Sequence, residues 1–224
     1  MKAKTLSIPL YAEGFQLIEV HCEITSGPTM FIIEGLSTSL AAKAKIRIRS
    51  AINSMGLSLP AKTITVTFSC FDQSRELQNF DLPIAMSLLS AMGVIPKDEA
   101  ERHICIGGLS PDGAIVRVNG VLSAAIAAAE ENCGVVCAKK CGPVAAWIGS
   151  VQVITPRTLL ELVNHFTGRR VLPTVEHAPN KLEEKYLTKI TKVDGKEFLT
   201  VCNVICLYMD GLIYPISTKY HEAF

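Results

Sequence analysis

One carboxylate stands directly in front of a long apolar segment, where it could act as a catalytic acid or begin a helix. The stretch NFDLPIAMSLLSAMG, residues 79–93, holds Asp81 as its sole charged residue, and Pro83 follows two positions later. Both residue types are favoured at the start of a helix, where free backbone N–H groups and the helix dipole attract negative charge. We therefore expect Asp81 to cap a helix over residues 82–92 rather than to perform acid–base chemistry.

Three cysteines share a four-residue spacing that could align metal ligands on one face of a helix. They are Cys133, Cys137 and Cys141. The β-branched segment 134–137 predicts a strand between them, and the five histidines are too scattered to supply companion ligands. We expect all eight cysteines to be reduced thiols, and we predict no metal and no cofactor.

Four cations within seven residues form a basic cluster, and no acidic residue occurs between Glu34 and Asp72. The cluster consists of Lys43, Lys45, Arg47 and Arg49. On a helix, the first and third members share one face and the second and fourth share another. Such a cluster could contact DNA phosphates or an acidic partner, and the alternative is an ordinary solvated helix face.

Hydrophobic periodicity predicts the elements that must position these residues. Strict alternation or short apolar runs predict strands over residues 16–24, 30–35, 62–68, 103–110, 134–137 and 148–155. Apolar residues at three- and four-residue steps predict helices over 38–55, 82–92, 122–131 and from a Thr155 cap to about Phe166. Strands and helices alternate, which is typical of an α/β fold.

Composition limits the class of protein. Hydrophobic residues make up 49% and charged residues 19% of the chain, as in a globular protein, and the formal net charge is +1. This charge gives no general attraction to nucleic acid or membranes, so any such affinity has to be local. The N-terminal residues lack the apolar core of a signal peptide, and the uncharged stretch 82–96 is shorter than the roughly 20 residues that cross a bilayer. We expect a cytoplasmic protein with no membrane partner.

The character of the chain changes after Gly168. Arg169, Arg170 and two prolines lie in residues 169–185, which read as a linker. Residues 186–224 hold four of the five tyrosines in a weak strand-like pattern that is too short to form a core by itself. We expect one α/β domain over residues 1–168, a linker over 169–185, and a divergent tail that is poorly ordered or packed at an edge.

Four motifs occur in order along the chain, namely SGPTMFIIEGLS, KIRIRSAINSMGLSLPAKTITV, FDLPIAMSLLSAMG and GGLSPDGAIVRVNGVLSAAIAA. Together they resemble the N-terminal domain of the YifB/ComM family of bacterial magnesium-chelatase-like AAA+ ATPases. The resemblance implies a two-layer α/β domain with a mixed sheet, like the Lon proteolytic domain and a related ribosomal-protein domain. It also implies a role in DNA processing, since ComM-type members are linked to branch migration during natural transformation. Structural roles are implied for Gly35, Phe80, Asp81, Leu82, Pro83, Asp112, Gly113 and Gly120.

The catalytic pair of Lon-type peptidases is not found at the matching positions. Those enzymes use a Ser at the start of the corresponding helix and a Lys from a later helix as its base. This chain has Asp81 and Leu122 there, and the two cannot form such a pair. Ser123 could be combined with Lys139 or Lys140, but nothing in their spacing singles them out.

A loop before the apolar helix also departs from the family. Asp72 and Glu76 lie where the family has a glycine-containing acidic segment, and Leu77 and Asn79 replace those glycines. We expect a solvated loop rather than the family's loop conformation.

The phosphate-binding motif of the family's motor does not occur in this sequence. The motif is G-x-x-x-x-G-K-[ST], whereas Gly195-Lys196 is followed by Glu197. We therefore expect a non-catalytic accessory or oligomerisation domain of a YifB/ComM-type ATPase, truncated before the ATPase module, without a nucleotide site. Expected partners are further copies of the chain (the full-length family is hexameric), DNA, or a separate AAA+ motor chain. A divergent Lon-like Ser/Lys peptidase and a non-functional remnant of a split gene are the alternatives.

Overall fold

A computed structural model of the chain describes residues 1–9, 17–69 and 80–175, together with the backbone of four strands between residues 187 and 215. The loop that contains Asp72, Glu76, Leu77 and Asn79 lies outside the described residues.

Strands and helices alternate along the described part of the chain. The strands are β1 (Lys2–Ser7), β2 (Ile18–Thr25), β3 (Met30–Ile33), β4 (Thr63–Phe68), β5 (His103–Ile106), β6 (Gly108–Leu109), β7 (Ile115–Val116), β8 (Gly134–Cys137), β9 (Val153–Ile154), β10 (Leu187–Val193), β11 (Lys196–Val201), β12 (Val204–Met209) and β13 (Leu212–Pro215). The helices are α1 (Thr38–Asn53), α2 (Asp81–Ala91), α3 (Lys97–Glu101), α4 (Val121–Glu130), α5 (Gly142–Ala145) and α6 (Leu159–Phe166).

A seven-stranded mixed sheet joins most of these elements in the order β3-β4-β2-β1-β5-β8-β9. Strand β2 is antiparallel to both of its neighbours, and the other pairs in this sheet are parallel. Strands β6 and β7 form a separate short ribbon, and β10 to β13 form an antiparallel four-stranded sheet. The predicted α/β class with a mixed sheet is confirmed.

The two halves of the large sheet differ in how they are covered. In β2 the residues Ile18, Val20, Cys22 and Ile24 are buried and the intervening ones are partly exposed, as the alternation predicts. Strand β4 alternates in the same way, whereas all four residues of β5 and of β8 are buried. Alternation indicates one covered and one open face, and unbroken burial is typical of parallel strands covered on both faces. We call the accessible side of β1, β2 and β4 the open face.

Helix α2 is buried along its whole length. All eleven of its residues are buried, and the helix packs against β1, β2 and α1. A helix that is apolar on every side belongs in the interior of a protein, which explains the uncharged sequence after Asp81. Helix α1 is amphipathic instead and buries Ala41, Ala44, Ile48, Ala51 and Ile52, at the predicted spacing.

The strand predicted over residues 103–110 is wrong in its second half. Strand β5 ends at Ile106, and residues 108 and 109 pair with β7 in the separate ribbon. Between them, the carbonyl of Gly107 accepts a hydrogen bond from the N–H of Leu82 at 3.0 Å, which directs the chain toward α2. A Cβ at position 107 would lie 3.1 Å from the Leu82 side chain, so this close approach favours glycine.

Two predicted boundaries near the end of the domain are also wrong. The strand predicted over 148–155 is limited to β9, because a 3-10 turn over Ala146–Ile148 precedes it. The last helix is capped by Thr158 and not by Thr155, since Thr158 Oγ1 accepts from the N–H of Glu161 at 3.2 Å. Backbone bonds from Ile115 to Arg157 and from Leu159 to Gly113 hold the preceding residues extended.

Strand β1 and the short helices α3 and α5 were not predicted from the sequence. Of the predicted linker, residues 169–175 are described, and they include exposed Val171. Within the described residues, no helix combines the length and apolar character that a membrane crossing requires.

We expect Gly134→Ala to destabilise the domain through a steric clash. A Cβ at this position of β8 would lie 2.5 Å from Cδ2 and 2.8 Å from Nε2 of the buried His103 ring. Overpacking of this kind costs about 1–3 kcal/mol in the free energy of unfolding. Urea denaturation should show a much smaller cost in a His103→Ala background, where the ring is absent. Equal costs in the two backgrounds would contradict this explanation.

Candidate functional site

Asp81 is held in a two-point ion pair with Arg47. The Nε of Arg47 lies 2.6 Å from Oδ2 of Asp81, and its Nη2 lies 2.9 Å from Oδ1. Asp81 is buried, with 2% of its surface exposed, whereas the Arg47 side chain remains 32% exposed. The parallel geometry of guanidinium and carboxylate makes this one of the stronger types of side-chain pair, and it joins α1 to α2.

Two hydrogen bonds join the start of α2 to the segment that follows β5. The N–H of Leu109 donates to Oδ2 of Asp81 at 3.4 Å, and the N–H of Leu82 donates to the carbonyl of Gly107 at 3.0 Å. These bonds run in opposite directions between the same two segments. The first turn of α2 therefore already has partners for its carboxylate and for one of its free N–H groups.

The predicted capping role of Asp81 is wrong, although the helix does begin there. The residue in the N-cap position is Phe80, and among the described residues no side chain caps the helix. The Asp81 carboxylate accepts from Arg47 and Leu109 and not from N–H groups of α2. A buried carboxylate needs strong partners, and a guanidinium satisfies both of its oxygens at once.

Burial and hydrogen bonding have opposite effects on the pKa of the Asp81 carboxyl group. Burial raises the pKa of Asp81 above its ordinary value, and the hydrogen bonds from Arg47 and Leu109 partly offset this effect. The pKa of Arg47 is raised by its hydrogen bond to Asp81. The charged form of Asp81 therefore depends on Arg47.

A turn beside this pair is built from other residues of the family motifs. Ser110 Oγ donates to the carboxylate of Asp112, which lowers the pKa of that exposed group. Ser54, at the end of α1, donates to the carbonyl of Asp112 at 3.1 Å. Gly113 has φ +84°, and a Cβ there would lie 2.6 Å from Ser54 Oγ, so the turn requires glycine.

The remaining motif residues lie in structural positions. Phe80 is buried and contacts the ring of Phe68 edge-on, with centroids 5.5 Å apart. Leu82 and Pro83 are buried in α2. Gly35 and Gly120 have φ +85° and +86°, and Gly120 is the N-cap residue of α4. Their assigned structural roles stay predictions.

The residues considered for peptidase or metal chemistry are not assembled into a site. Leu122 is buried, and within the described residues no hydrogen bond joins Ser123 to Lys139 or Lys140, which are both exposed. No group of three metal-ligating side chains occurs in the described part of the chain. Burial raises the pKa of the Cys137 thiol well above its usual value, which disfavours a thiolate.

The four cations of the basic cluster differ in whether a carboxylate binds them. Lys43 and Arg49 are exposed on the outer side of α1, on either side of Ile46, which is 65% exposed. Lys45 is partly exposed, and among the described residues no carboxylate forms an ion pair with these three cations. Arg47 is different because Asp81 already binds its guanidinium. Contact with DNA or a partner through any of the four stays a prediction.

A shallow depression of about 420 Å³ lies elsewhere, on the open face. Its charged lining is largely paired, because Lys4 contacts Glu19 at 2.7 Å and Lys2 contacts Glu23 at 3.1 Å. It is not formed by the residues around Asp81.

Comparison with known proteins agrees with the motifs. A family model described as subunit ChlI of Mg-chelatase matches residues 18–140, more than half of the chain. The chain belongs to this family. It is 30% identical over 156 residues to the competence protein ComM of Haemophilus influenzae, covering 70% of this chain and 30% of that protein. Membership of the YifB/ComM family, predicted from the motifs, is confirmed.

Two further relatives support the same assignment. YifB of Escherichia coli K12 is 33% identical over 122 residues, which cover 54% of this chain and 24% of that protein. An uncharacterized protein of Mycobacterium tuberculosis H37Rv is 29% identical over 166 residues, which cover 74% of this chain and 33% of that protein. The chain thus matches a third or less of the length of each of these relatives.

We expect Arg47→Met to destabilise the domain more at neutral than at acid pH. Without the guanidinium, burial raises the pKa of Asp81 further above its value in the unfolded chain. A carboxyl with a raised folded pKa contributes stability that is present below the unfolded pKa and is lost as the pH rises through the folded pKa. The loss relative to the parent should be about 2–4 kcal/mol near neutral pH, and smaller by at least about 1 kcal/mol near pH ~4.5.

The measurement is urea denaturation at both pH values. Arg49→Met is the matched control, since it removes an exposed cation from the same helix and should have a small effect at either pH. A loss in Arg47→Met that did not change with pH would contradict the coupling to Asp81.

Proposed function

We propose that residues 1–168 form a Lon-like, non-catalytic accessory or oligomerisation domain of a YifB/ComM-type DNA-processing AAA+ ATPase. The observation that carries this proposal is that the carboxylate of Asp81 is buried and bound by Arg47 and Leu109. The family resemblance matches this position to the nucleophile of Lon-type peptidases. In the half of the mixed sheet formed by β1, β2 and β4, one face is open, which is compatible with the two-layer fold implied by the family motifs.

The residues at this position do not provide the nucleophile, base and free N–H donor that peptide hydrolysis requires. Both carboxylate oxygens of Asp81 are hydrogen-bonded to Arg47, and Leu122 has no group that can accept a proton. The N–H of Leu82, at the start of α2, donates to Gly107 and so is not free to stabilise an oxyanion. We therefore favour a structural role for this position over a divergent peptidase.

The process in which the domain acts is proposed from its relatives. The Haemophilus relative is named a competence protein. The resemblance of the motifs implies a family of DNA-processing ATPases. We propose the same setting for this domain, with DNA, further copies of the chain and an AAA+ motor as its partners.

A peptidase assay tests the non-catalytic assignment. We expect the parent, Asp81→Ser and Asp81→Asn to leave casein and fluorogenic peptides intact. The described partners of position 81, Arg47 and the Leu109 N–H, are not bases that could activate a hydroxyl. Hydrolysis by the parent that disappeared in Asp81→Asn, with the fold retained by circular dichroism, would restore the peptidase assignment.

The outer side of α1 is the surface that we propose for DNA. Lys43, Lys45 and Arg49 have no ion-pair partner among the described residues, and α1 contains no aromatic residue on which a base could stack. Contacts of this type are made with phosphates, carry no sequence preference and weaken as counterions compete.

Replacing Lys43 and Arg49 together with Ala should weaken binding of single-stranded DNA and flatten its salt dependence. Loss of two phosphate contacts reduces the slope of log affinity against log salt by about 1.4. The matched control replaces Lys139 and Lys140, an exposed pair outside α1, and should bind as the parent does. Fluorescence anisotropy across a salt series measures both effects, and equal binding by the two double variants would exclude α1 as the DNA contact.

A further inference from the structure

The two edge strands of the seven-stranded sheet differ in whether a further segment of the described chain bonds to them. Beside β9, the N–H of Val175 donates to the carbonyl of Val153 at 3.5 Å, so the segment after α6 follows that edge. The other edge is β3, and no backbone group of the described residues pairs with its outer side. An unpaired strand edge is a template for another strand unless the protein protects it.

The hydrogen bonds to β4 identify which groups of β3 face outward. The N–H groups of Met30 and Glu34 donate to the carbonyls of Lys62 and Val66 at 3.3 and 2.9 Å. In a parallel pair, alternate residues bond to the same neighbour, so Ile32 also faces β4. The N–H and carbonyl groups of Phe31 and Ile33 therefore point away from the sheet.

The side chains of β3 do not protect this edge. Met30–Ile33 contains no charged residue and no proline, which are common means of blocking edge pairing. Met30 is 48% exposed and Ile32 is partly exposed on the open side, whereas Phe31 and Ile33 face the core.

We propose that β3 pairs antiparallel with β3 of a second copy of this chain, around a two-fold axis through Ile32. In this register Phe31 lies opposite Ile33 of the second copy, and their outward N–H and carbonyl groups form reciprocal hydrogen bonds. A shift by one residue would place core-facing side chains against open-face ones, which the pleat excludes. Among the registers that the pleat allows, the one centred on Ile32 pairs the whole of β3 and the adjoining Glu34. The two sheets become continuous across the axis.

The strand is complementary to itself in charge as well as in hydrogen bonding. Glu34 of each copy lies opposite Met30 of the other, so the two carboxylates do not meet. Phe31 beside Ile33 of the second copy is an aromatic and β-branched pair of the kind that stabilises antiparallel strands. A contact of one short strand per copy is small, so the dimer should be weak and dependent on concentration.

Amide exchange on the full chain tests the register directly. Raising the protein concentration to roughly millimolar should populate the dimer and slow exchange at Phe31 and Ile33. The Ile32 amide should exchange at one rate throughout, because it bonds to β4 in both states. A chain that stays monomeric over this range by analytical ultracentrifugation, or a dimer without added protection at Phe31 and Ile33, would overturn the proposal.

A charged residue introduced at the two-fold axis provides a variant that tests the dimer. Ile32→Lys places two ammonium groups opposite each other and should raise the dimer dissociation constant by about tenfold or more. Thr65→Lys is the matched control, since Thr65 lies beside Ile32 on β4, on the same face but one strand away from the axis. Both variants should melt as the parent does. Equal dimerisation by Ile32→Lys and Thr65→Lys would contradict the two-fold pairing and leave the proposed function unaffected.

Discussion

The ion pair between Arg47 and Asp81 is the interaction on which the arrangement of the domain depends. It joins α1, which is amphipathic, to α2, which is buried along all eleven residues. A carboxylate in such an interior is strongly unfavourable unless its oxygens are bonded, and Arg47 and Leu109 together bond them. Asp81 thereby fixes the start of α2 relative to both α1 and the segment beyond β5.

The same contacts account for the proposed loss of peptidase chemistry. A nucleophile has to be accessible, beside a base and near free hydrogen-bond donors. Asp81 is 2% exposed and already bonded, Leu122 is buried, and the N–H of Leu82 is used by Gly107. The position that the family resemblance matches to the nucleophile of Lon-type peptidases is proposed here to serve stability, and the outer side of α1 and the edge of β3 are the surfaces proposed for partners.

Hydrophobic periodicity was sufficient to predict the strands and helices whose formation depends mainly on which of their own faces is buried. The alternation in β2 and the spacing of buried residues in α1 reflect which side each element buries, and both agree with the structure. The role of Asp81 could not be read in this way, because its partner lies 34 residues earlier in a cluster that resembles an ordinary solvated face. One signal did exist: a lone acid before an otherwise uncharged, apolar-rich helix needs a cation, and the segment of α1 contains four.

The errors in the second half of the domain have the same origin. Residues 108 and 109 have the composition of a strand that continues β5, but the bond from Leu82 to Gly107 takes the chain out of the sheet. Thr155 precedes a proline as a cap often does, yet bonds from Ile115 and Leu159 to distant carbonyls delay the helix to Leu159. In each case a contact with a remote segment outweighs the local preference.

A double-mutant cycle between positions 47 and 81 tests the central claim most directly. The free energy of unfolding at neutral pH would be measured by urea denaturation for Arg47→Met, Asp81→Leu and the double variant. If the pair is a buried structural ion pair, each single variant leaves an unpaired group, and the double variant should be more stable than Arg47→Met, with a coupling of about 2 kcal/mol. Single effects that simply add, with no coupling beyond error, would contradict the account.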